Sequence, residues 1–191
     1  MSTNSDRSNR SGPGLVSVWD PLVRIIHWAL AVGFLIAYAS PAEEGSGPGA
    51  LHVWSGYALG ALILLRLIWG FIGPRYARFS DFVFRPATVI AYLKSLLLGH
   101  PRRYLGHSPA GGAMIVALLA SLAACVVTGI AADGEWGRGA ISRALGELHG
   151  LATSVALILV ILHILGVVAT SIVHRENLVS AMFTGKKRGE G

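Results

Sequence analysis

Four long runs of apolar residues divide the chain, and each is long enough to cross the roughly 30 Å hydrocarbon core of a bilayer as an α-helix. The runs cover residues 22–39, 52–72, 112–132 and 148–173, and the last two contain no Asp, Glu, Lys or Arg. Asp20 followed by Pro21 is typical of a helix start, whereas Pro41 and the Gly/Pro/Ser cluster at 45–49 predict its end. The pattern predicts an all-α, integral membrane four-helix bundle.

The loop between the second and third runs carries an apolar stripe at helical spacing, set between basic residues. The stripe consists of Val89, Leu93, Leu96 and Leu97. It predicts an amphipathic helix lying in the membrane interface, with a plain cytoplasmic loop as the alternative. Residues 1–17 are expected to be a disordered tail, residues 18–188 the membrane domain and residues 189–191 a short C-terminal tail.

Composition supports a membrane protein, because the chain is 53% hydrophobic and only 14% charged, with a mean hydropathy of +0.58. The first apolar run begins late and lacks a small-residue cleavage pattern, so we expect no removable signal peptide. One cysteine, Cys125, leaves no disulfide framework and no C-x-x-C-H motif for covalent haem attachment. Any haem would therefore be non-covalent and b-type.

The formal net charge of +6 follows the expected topology and does not indicate nucleic acid binding. Of the 16 Lys and Arg, twelve lie in residues 1–22, 74–111 and 174–191, against only Arg138 and Arg143 in residues 40–51 and 133–147. Positive residues stay inside, so both termini are predicted to be cytoplasmic. Five of the ten acidic residues fall in the two outer loops, where a basic partner protein could dock.

Four histidines fall at two matched depths in the predicted helices. His149 and His163 are fourteen residues apart on the fourth helix, so their rings share one side and lie roughly 21 Å apart along its axis. His52 opens the second helix at the outer face, and His27 lies near the inner end of the first. Depth pairs His52 with His149 and His27 with His163.

Haem iron is the best candidate for such pairs, because ionisable side chains inside a bilayer are costly and need a partner. Any one of these histidines could instead bond a neighbouring helix. Zinc sites gather three or four ligands at one point, and non-haem iron enzymes carry dense His motifs, neither of which occurs here. Three further histidines are not expected to bind metal, the first two as solvated loop residues: His100, His107 and His174.

Two glycines and two arginines accompany the histidines. Gly56 and Gly60 follow His52 at intervals of four, which suits either a flat macrocycle or a G-x-x-x-G helix-packing face. Arg66 lies fourteen residues after His52, at the level of the inner pair, where it could bind a haem propionate. Arg24 is a second candidate for binding the cofactor. Extension to the lipid headgroups is the alternative for Arg66 and the first interpretation for Arg24.

Several motifs resemble those of the bacterial cytochrome b561 family, which includes the b-type cytochrome subunits of nickel-iron hydrogenases. They are V-W-D-P-L-V-R-I-I-H-W at 18–28, H-V-W-S-G-Y at 52–57, G-H-S-P-A-G-G at 106–112, the L-H-G and L-H sequences around 149 and 163, and H-R-E-N-L at 174–178. The likeness covers residues 18 to about 188. Matching motif positions imply that His27, His52, His149 and His163 are haem ligands.

The resemblance implies a multi-pass protein of the bacterial inner membrane with two b-type haems, carrying electrons between the quinone pool and a partner redox protein. Quinone oxidation or reduction near a haem edge would make it an electron-transfer subunit with quinone-linked oxidoreductase activity. Compact outer loops leave a c-type cytochrome as plausible a partner as a hydrogenase. The rival hypothesis is a haem-free four-helix transporter or anchor whose histidines handle protons or metal ions.

Overall fold

The computed structural model describes residues 14–40, 42–43, 47–99, 102–133 and 140–189. Four of its helices are long and apolar enough to cross a membrane. They are α1 (Pro21–Ala39), α2 (Ala50–Ile72), α5 (Pro109–Asp133) and α6 (Ala140–Val173). Short helices α3 (Phe79–Phe82) and α4 (Pro86–Leu97) connect α2 to α5, and α7 (Leu178–Thr184) follows α6. The predicted helical membrane architecture is confirmed.

The predicted start of α1 is also confirmed. The Asp20 carboxylate accepts hydrogen bonds from the backbone N–H groups of Leu22 and Val23, each at 3.1 Å, and Pro21 occupies the first turn. These bonds satisfy amide groups that have no partner inside the helix. The helix ends at Ala39. Of the residues predicted to end it, Pro41, Gly45 and Ser46 lie outside the described residues, as do His100 and Arg138.

The fourth membrane helix begins at Ala140, well before the predicted residue 148. Hydropathy marks only the part of a helix that lipid surrounds, whereas the polar residues 140–147 continue the same helix. At 34 residues, α6 is about 51 Å long, which exceeds the thickness of a bilayer with its headgroups. We therefore expect residues 140–147 to lie outside the hydrocarbon core.

The four long helices pack as two hairpins. α1 runs along α2 and α5 along α6, and the hairpins meet mainly where α2 contacts α5. One residue from each helix forms the central core: Phe34, Ile63, Leu122 and Ala156. Among the described helices, α6 makes few close approaches to α1 or α2. That separation leaves room for side chains and a flat group between α6 and the first hairpin.

The end of the bundle at which α1 and α5 begin and α2 and α6 end is called the inner end here, and the opposite end the outer end. Helix α4 lies at the inner end where an amphipathic helix was predicted, with Tyr92 buried and Leu97 exposed. The helix is confirmed, and its position in the membrane interface stays a prediction. Cytoplasmic placement of the inner end likewise stays a prediction.

A two-stranded sheet joins the chain ends at the inner end. Strand β1 (Leu15–Ser17) pairs antiparallel with β4 (Lys186–Arg188), and Gly189 N–H donates to the Gly14 carbonyl at 2.9 Å. The tails expected at residues 1–17 and 189–191 therefore differ from the structure where they overlap this sheet. Residues 1–13 and 190–191 lie outside the described chain. A second pair, β2 (Ala42–Glu43) and β3 (Gly47–Pro48), lies between α1 and α2.

A buried ionic cluster fixes β4 to the loop before α5. Glu176 accepts hydrogen bonds from Arg103 Nη2 at 3.2 Å and from the Arg188 backbone N–H at 3.1 Å. Lys187 Nζ lies 4.0 Å from the same carboxylate and donates to the backbone carbonyl of Leu105 at 3.1 Å. Glu176 and Lys187 are both shielded from water, so breaking their contact would leave a buried charge unpaired. The cluster therefore holds β4 against the loop before α5.

Candidate functional site

The outer histidine pair is preorganised by backbone carbonyls. The His52 and His149 ring centroids lie 5.9 Å apart, with the planes nearly perpendicular at 82°. His52 Nδ1 lies 2.9 Å from the Ala37 carbonyl, and His149 Nδ1 lies 2.9 Å from the Cys125 carbonyl. A carbonyl can only accept, so both Nδ1 atoms donate and both Nε2 atoms keep a lone pair. That tautomer is the one that binds a metal through Nε2.

The inner histidine pair has a similar spacing and a different surrounding. His27 and His163 ring centroids lie 6.2 Å apart, with an interplanar angle of 58°. His27 also meets the edge of Trp28, with centroids 5.2 Å apart. Its Nδ1 is buried and makes no hydrogen bond within the described residues. Within the described residues, His27 therefore lacks the carbonyl partner that His52 and His149 each have.

Both spacings fit a bis-histidine metal site. Two imidazoles sharing one metal atom at metal–nitrogen distances of about 2 Å have centroids about 6 Å apart. Within the described ranges, no group of three or more His, Cys, Asp or Glu side chains could hold a metal ion. The arrangement therefore matches iron that takes its remaining ligands from a porphyrin.

The predicted glycine strip on α2 separates into two environments. A Cβ atom added at Gly60 would lie 3.1 Å from Val126 Cγ1, whereas one added at Gly56 would meet nothing within 4 Å. Gly60 thus lets α2 approach α5, as in a helix-packing face. Gly56 leaves an open face one turn from His52, as a flat macrocycle requires. The two glycines have different roles in the packing.

Arg66 points into the bundle and not toward the headgroups. It is only 6% exposed, and its guanidinium carbon lies 5.4 Å from the Phe79 ring centroid and 5.7 Å from that of Phe82. Its Nη1 atom is buried and unpartnered within the described residues. Arg24 instead reaches α7, where its Nη1 donates to the Phe183 carbonyl.

Comparison with known proteins identifies the family. The sequence profile of the prokaryotic cytochrome b561 family matches residues 18–185. The chain belongs to this family. It is a membrane-bound b-type cytochrome of electron transport, and family membership excludes the haem-free transporter or anchor. No solved structure matches the chain significantly.

Several relatives carry the name probable Ni/Fe-hydrogenase B-type cytochrome subunit. The one from Bradyrhizobium diazoefficiens is 25% identical over 93% of this chain and 87% of its own length. Those from Rhodobacter capsulatus and Cupriavidus necator are 25% and 26% identical, over 90% and 88% of this chain and 81% and 85% of their own lengths. The likeness therefore extends over nearly the whole of each protein.

The sequence did not identify His107 as a buried residue at the inner end of this cytochrome. His107, expected to be a solvated loop residue, packs between Trp19 and Phe82, with ring centroids 4.4 and 4.8 Å away. That expectation is wrong, because the loop folds against α3 and carries the ring inward. Its place in the G-H-S-P-A-G-G motif was the available signal, since the flanking glycines permit close packing.

A second residue missed from the sequence is Gly129 on α5. A Cβ atom there would lie 3.1 Å from His149 Cε1 and 3.2 Å from Nδ1. The glycine therefore lets the imidazole lie flat against α5 and reach the Cys125 carbonyl. Its spacing of four residues from Cys125 places both on one helix face, but the sequence does not show which helix that face meets.

Proposed function

We propose that this cytochrome is a dihaem conduit that passes electrons across the bilayer between the quinone pool and a partner redox protein. Two histidine pairs at two depths are the observation that carries the proposal. One member of each pair, His149 or His163, stands on α6, and the two are about 21 Å apart along its axis. His52 and His149 would hold an outer b-type haem, and His27 and His163 an inner one.

The chain's own residues fix the positions of both groups. Helix α6 supplies one ligand at each level, so the spacing of the two sites follows from a single rigid element. Backbone carbonyls of Ala37 and Cys125 orient the outer imidazoles. Each haem would supply one-electron redox chemistry, and two histidines holding it would leave no coordination position free for oxygen. The geometry therefore favours electron transfer over oxygen activation.

An apolar cluster lies in the middle of the bundle. Phe34, Ile63, Leu122 and Ala156 pack together from all four long helices, and Ala156 stands midway between His149 and His163 on α6. A dry, low-dielectric interior keeps each site's electrostatic environment separate from bulk solvent. Quinone oxidation or reduction would then take place at a haem edge reached from the lipid, as quinones are lipid-soluble.

The relatives' printed names favour a hydrogenase as the partner, and a c-type cytochrome is the other candidate. Either would dock on the outer face of the bacterial inner membrane if both termini are cytoplasmic, as the distribution of basic residues predicts. Addition of each purified candidate to vesicles containing the reduced cytochrome distinguishes the two. The partner should oxidise or reduce the haems at rates that fall with ionic strength.

Haem stoichiometry tests the conduit directly. Pyridine haemochrome absorbance divided by protein concentration should give two equivalents of b-type haem per chain. One equivalent in a fully loaded preparation would overturn the dihaem proposal while leaving membership of the family intact. Reduction of both haems by a quinol in proteoliposomes, without added mediator, is the expected sign of the quinone link.

A further inference from the structure

Five buried side-chain nitrogen atoms lack a hydrogen-bond partner within the described residues, and all five lie at the inner end of the bundle. They are Arg24 Nε, His27 Nδ1, Trp28 Nε1, Arg66 Nη1 and His107 Nδ1. Each can donate a hydrogen bond, and buried donors in proteins are almost always paired. A concentration of unpaired donors at one end indicates a ligand that brings acceptor oxygens.

Arg66 is the charged member of this group. Its nearest aromatic neighbours, Phe79 and Phe82, offer cation–π attraction but no acceptor oxygen for its N–H groups. The Asp20 carboxylate is close enough to attract the Arg66 charge. It accepts from two backbone N–H groups and from Trp69 Nε1 at 3.2 Å, and within the described residues no hydrogen bond joins it to Arg66. Arg66 exposes only 6% of its surface, and a cation so buried is costly unless an anion neutralises it and accepts from its N–H groups. Its fork geometry matches a carboxylate.

His107 enters the same pocket from the loop before α5. Phe82 contacts both groups, because its ring lies 4.8 Å from the His107 ring and 5.7 Å from the Arg66 guanidinium carbon. Burial, and then the positive charges of Arg66 and Lys187, lower the pKa of His107 to about 3. The ring is therefore neutral at physiological pH. It donates one N–H without adding a second charge.

Glycines on each side of His107 let its loop and the first turn of α5 pack closely against residues 76–82. A Cβ atom at Gly112 would lie 2.0 Å from the Phe82 carbonyl oxygen, and one at Gly106 would lie 2.9 Å from Tyr76 Cδ1. Real Cβ atoms do not come so near to backbone atoms, so only glycine permits the packing at Gly112. The G-H-S-P-A-G-G motif thereby fixes His107 beside Arg66.

We propose that Arg66 and His107 together bind one carboxylate at the inner end, and that this carboxylate is a propionate of the inner haem. The assignment rests on the proposed dihaem function. Arg66 shares the buried face of α2 with Ile63 and Gly70. Trp69, three residues further along α2, donates to Asp20, which places Arg66 about one turn closer to the inner end than His27. An anionic edge of a group held between His27 and His163 would therefore come within reach of both donors.

The test uses the purified, haem-loaded cytochrome, with potentiometric titration and resonance Raman spectra of the propionate bending modes. Arg66→Gln removes a cation that favours the reduced state, so the inner haem's reduction equilibrium should fall about tenfold, which is 59 mV for a one-electron couple. His107→Ala removes a neutral hydrogen-bond donor and should lower the reduction equilibrium of the inner haem about threefold. Both should shift the propionate modes. Arg102→Gln, a change at an exposed arginine of the same loop, should alter neither measurement.

Two further variants sharpen the result. In Arg66→Gln/His107→Ala, the shift should be smaller than the product of the single effects, because both residues donate to one group. Arg66→Lys keeps the charge, so the midpoint should stay near the parent value while the propionate modes move. If Arg66→Gln does not assemble, His107→Ala and Arg66→Lys decide the question.

Unchanged propionate modes and midpoints in the single variants would overturn the assignment, and the donors would then serve another anion, such as a lipid phosphate. This failure differs from failure of the dihaem function. If the dihaem function is wrong, the unaltered protein contains one haem equivalent. If only the propionate assignment is wrong, it contains two, and the variants leave the midpoints and the propionate modes unchanged.

Discussion

Replacing one histidine of α6 should remove one haem and leave the other. In His149→Ala, the outer pair loses the imidazole that lies 5.9 Å from His52. The inner pair lies about 21 Å away along the same helix, beyond the 7–10 Å within which substitutions usually couple. We therefore expect haem content to fall from two equivalents to one, with the inner component's midpoint nearly unchanged.

The substitution also has a structural cost that can be stated in advance. The Cys125 carbonyl loses the donor that now lies 2.9 Å away. That carbonyl still accepts from Thr128 Oγ1 at 3.2 Å, so the cost is that of one hydrogen bond, about 0.5–1.5 kcal/mol, and the yield of folded protein should fall modestly. Haem must accordingly be counted per folded chain after size-exclusion chromatography, by pyridine haemochrome absorbance and by redox titration.

Matched variants make the prediction specific. His163→Ala should remove the other component, and His52→Ala/His149→Ala should lose no more haem than His149→Ala alone. His174→Ala changes a half-buried histidine just beyond α6 and should retain both haems. The pairing would be refuted if His52→Ala eliminated the same component as His163→Ala.

Three further outcomes are expected. Gly112→Ala would place a Cβ atom 2.0 Å from the Phe82 carbonyl oxygen and should lower the free energy of unfolding by about 1–3 kcal/mol. In the control Gly111→Ala, the new Cβ atom meets only Ser108 Oγ at 3.3 Å, so this variant should melt near the parent temperature. Burial alone would raise the pKa of Glu176, but the Arg188 N–H, Lys187 and Arg103 together hold it below its ordinary value. The carboxylate therefore stabilises the fold above the unfolded pKa of about 4.3, and this contribution is lost as pH falls below it; thermal melts of Glu176→Gln should lack that pH dependence. Fusions at Gly191 should give a fluorescent protein that fluoresces and an alkaline phosphatase that is silent, and active phosphatase would reverse the assigned orientation.

The membrane helices and the histidine pairs could be predicted because both follow from the helical period. Lipid requires a long uninterrupted apolar run, and a rise of about 1.5 Å per residue fixes the depth of each histidine along its helix. Depth alone then brings His52 to His149 and His27 to His163, as the ring distances show. Outside the apolar run, hydropathy does not show where a helix begins, so the sequence did not predict the start of α6 at Ala140.

The pairing of the chain ends could not be predicted from the sequence. Strands β1 and β4 are three residues each and stand far apart in the chain, with no turn between them to set a register. Their pairing depends on Glu176 and Lys187, which are ordinary charged residues until the fold buries them. The hydrogen bonds that orient His52 and His149 could not be predicted either, because their acceptors are backbone carbonyls, which every residue has.

The two ends of the bundle differ in what holds their histidines. At the outer end, the partners of Nδ1 are main-chain carbonyls of α1 and α5, so side-chain changes at Ala37 or Cys125 leave those acceptors in place. At the inner end, the unpartnered donors are side chains, and His107 is carried by a loop whose path depends on Gly112. Sequence changes in the loop before α5 therefore reach the inner pocket directly, while the outer pair depends on helix packing alone.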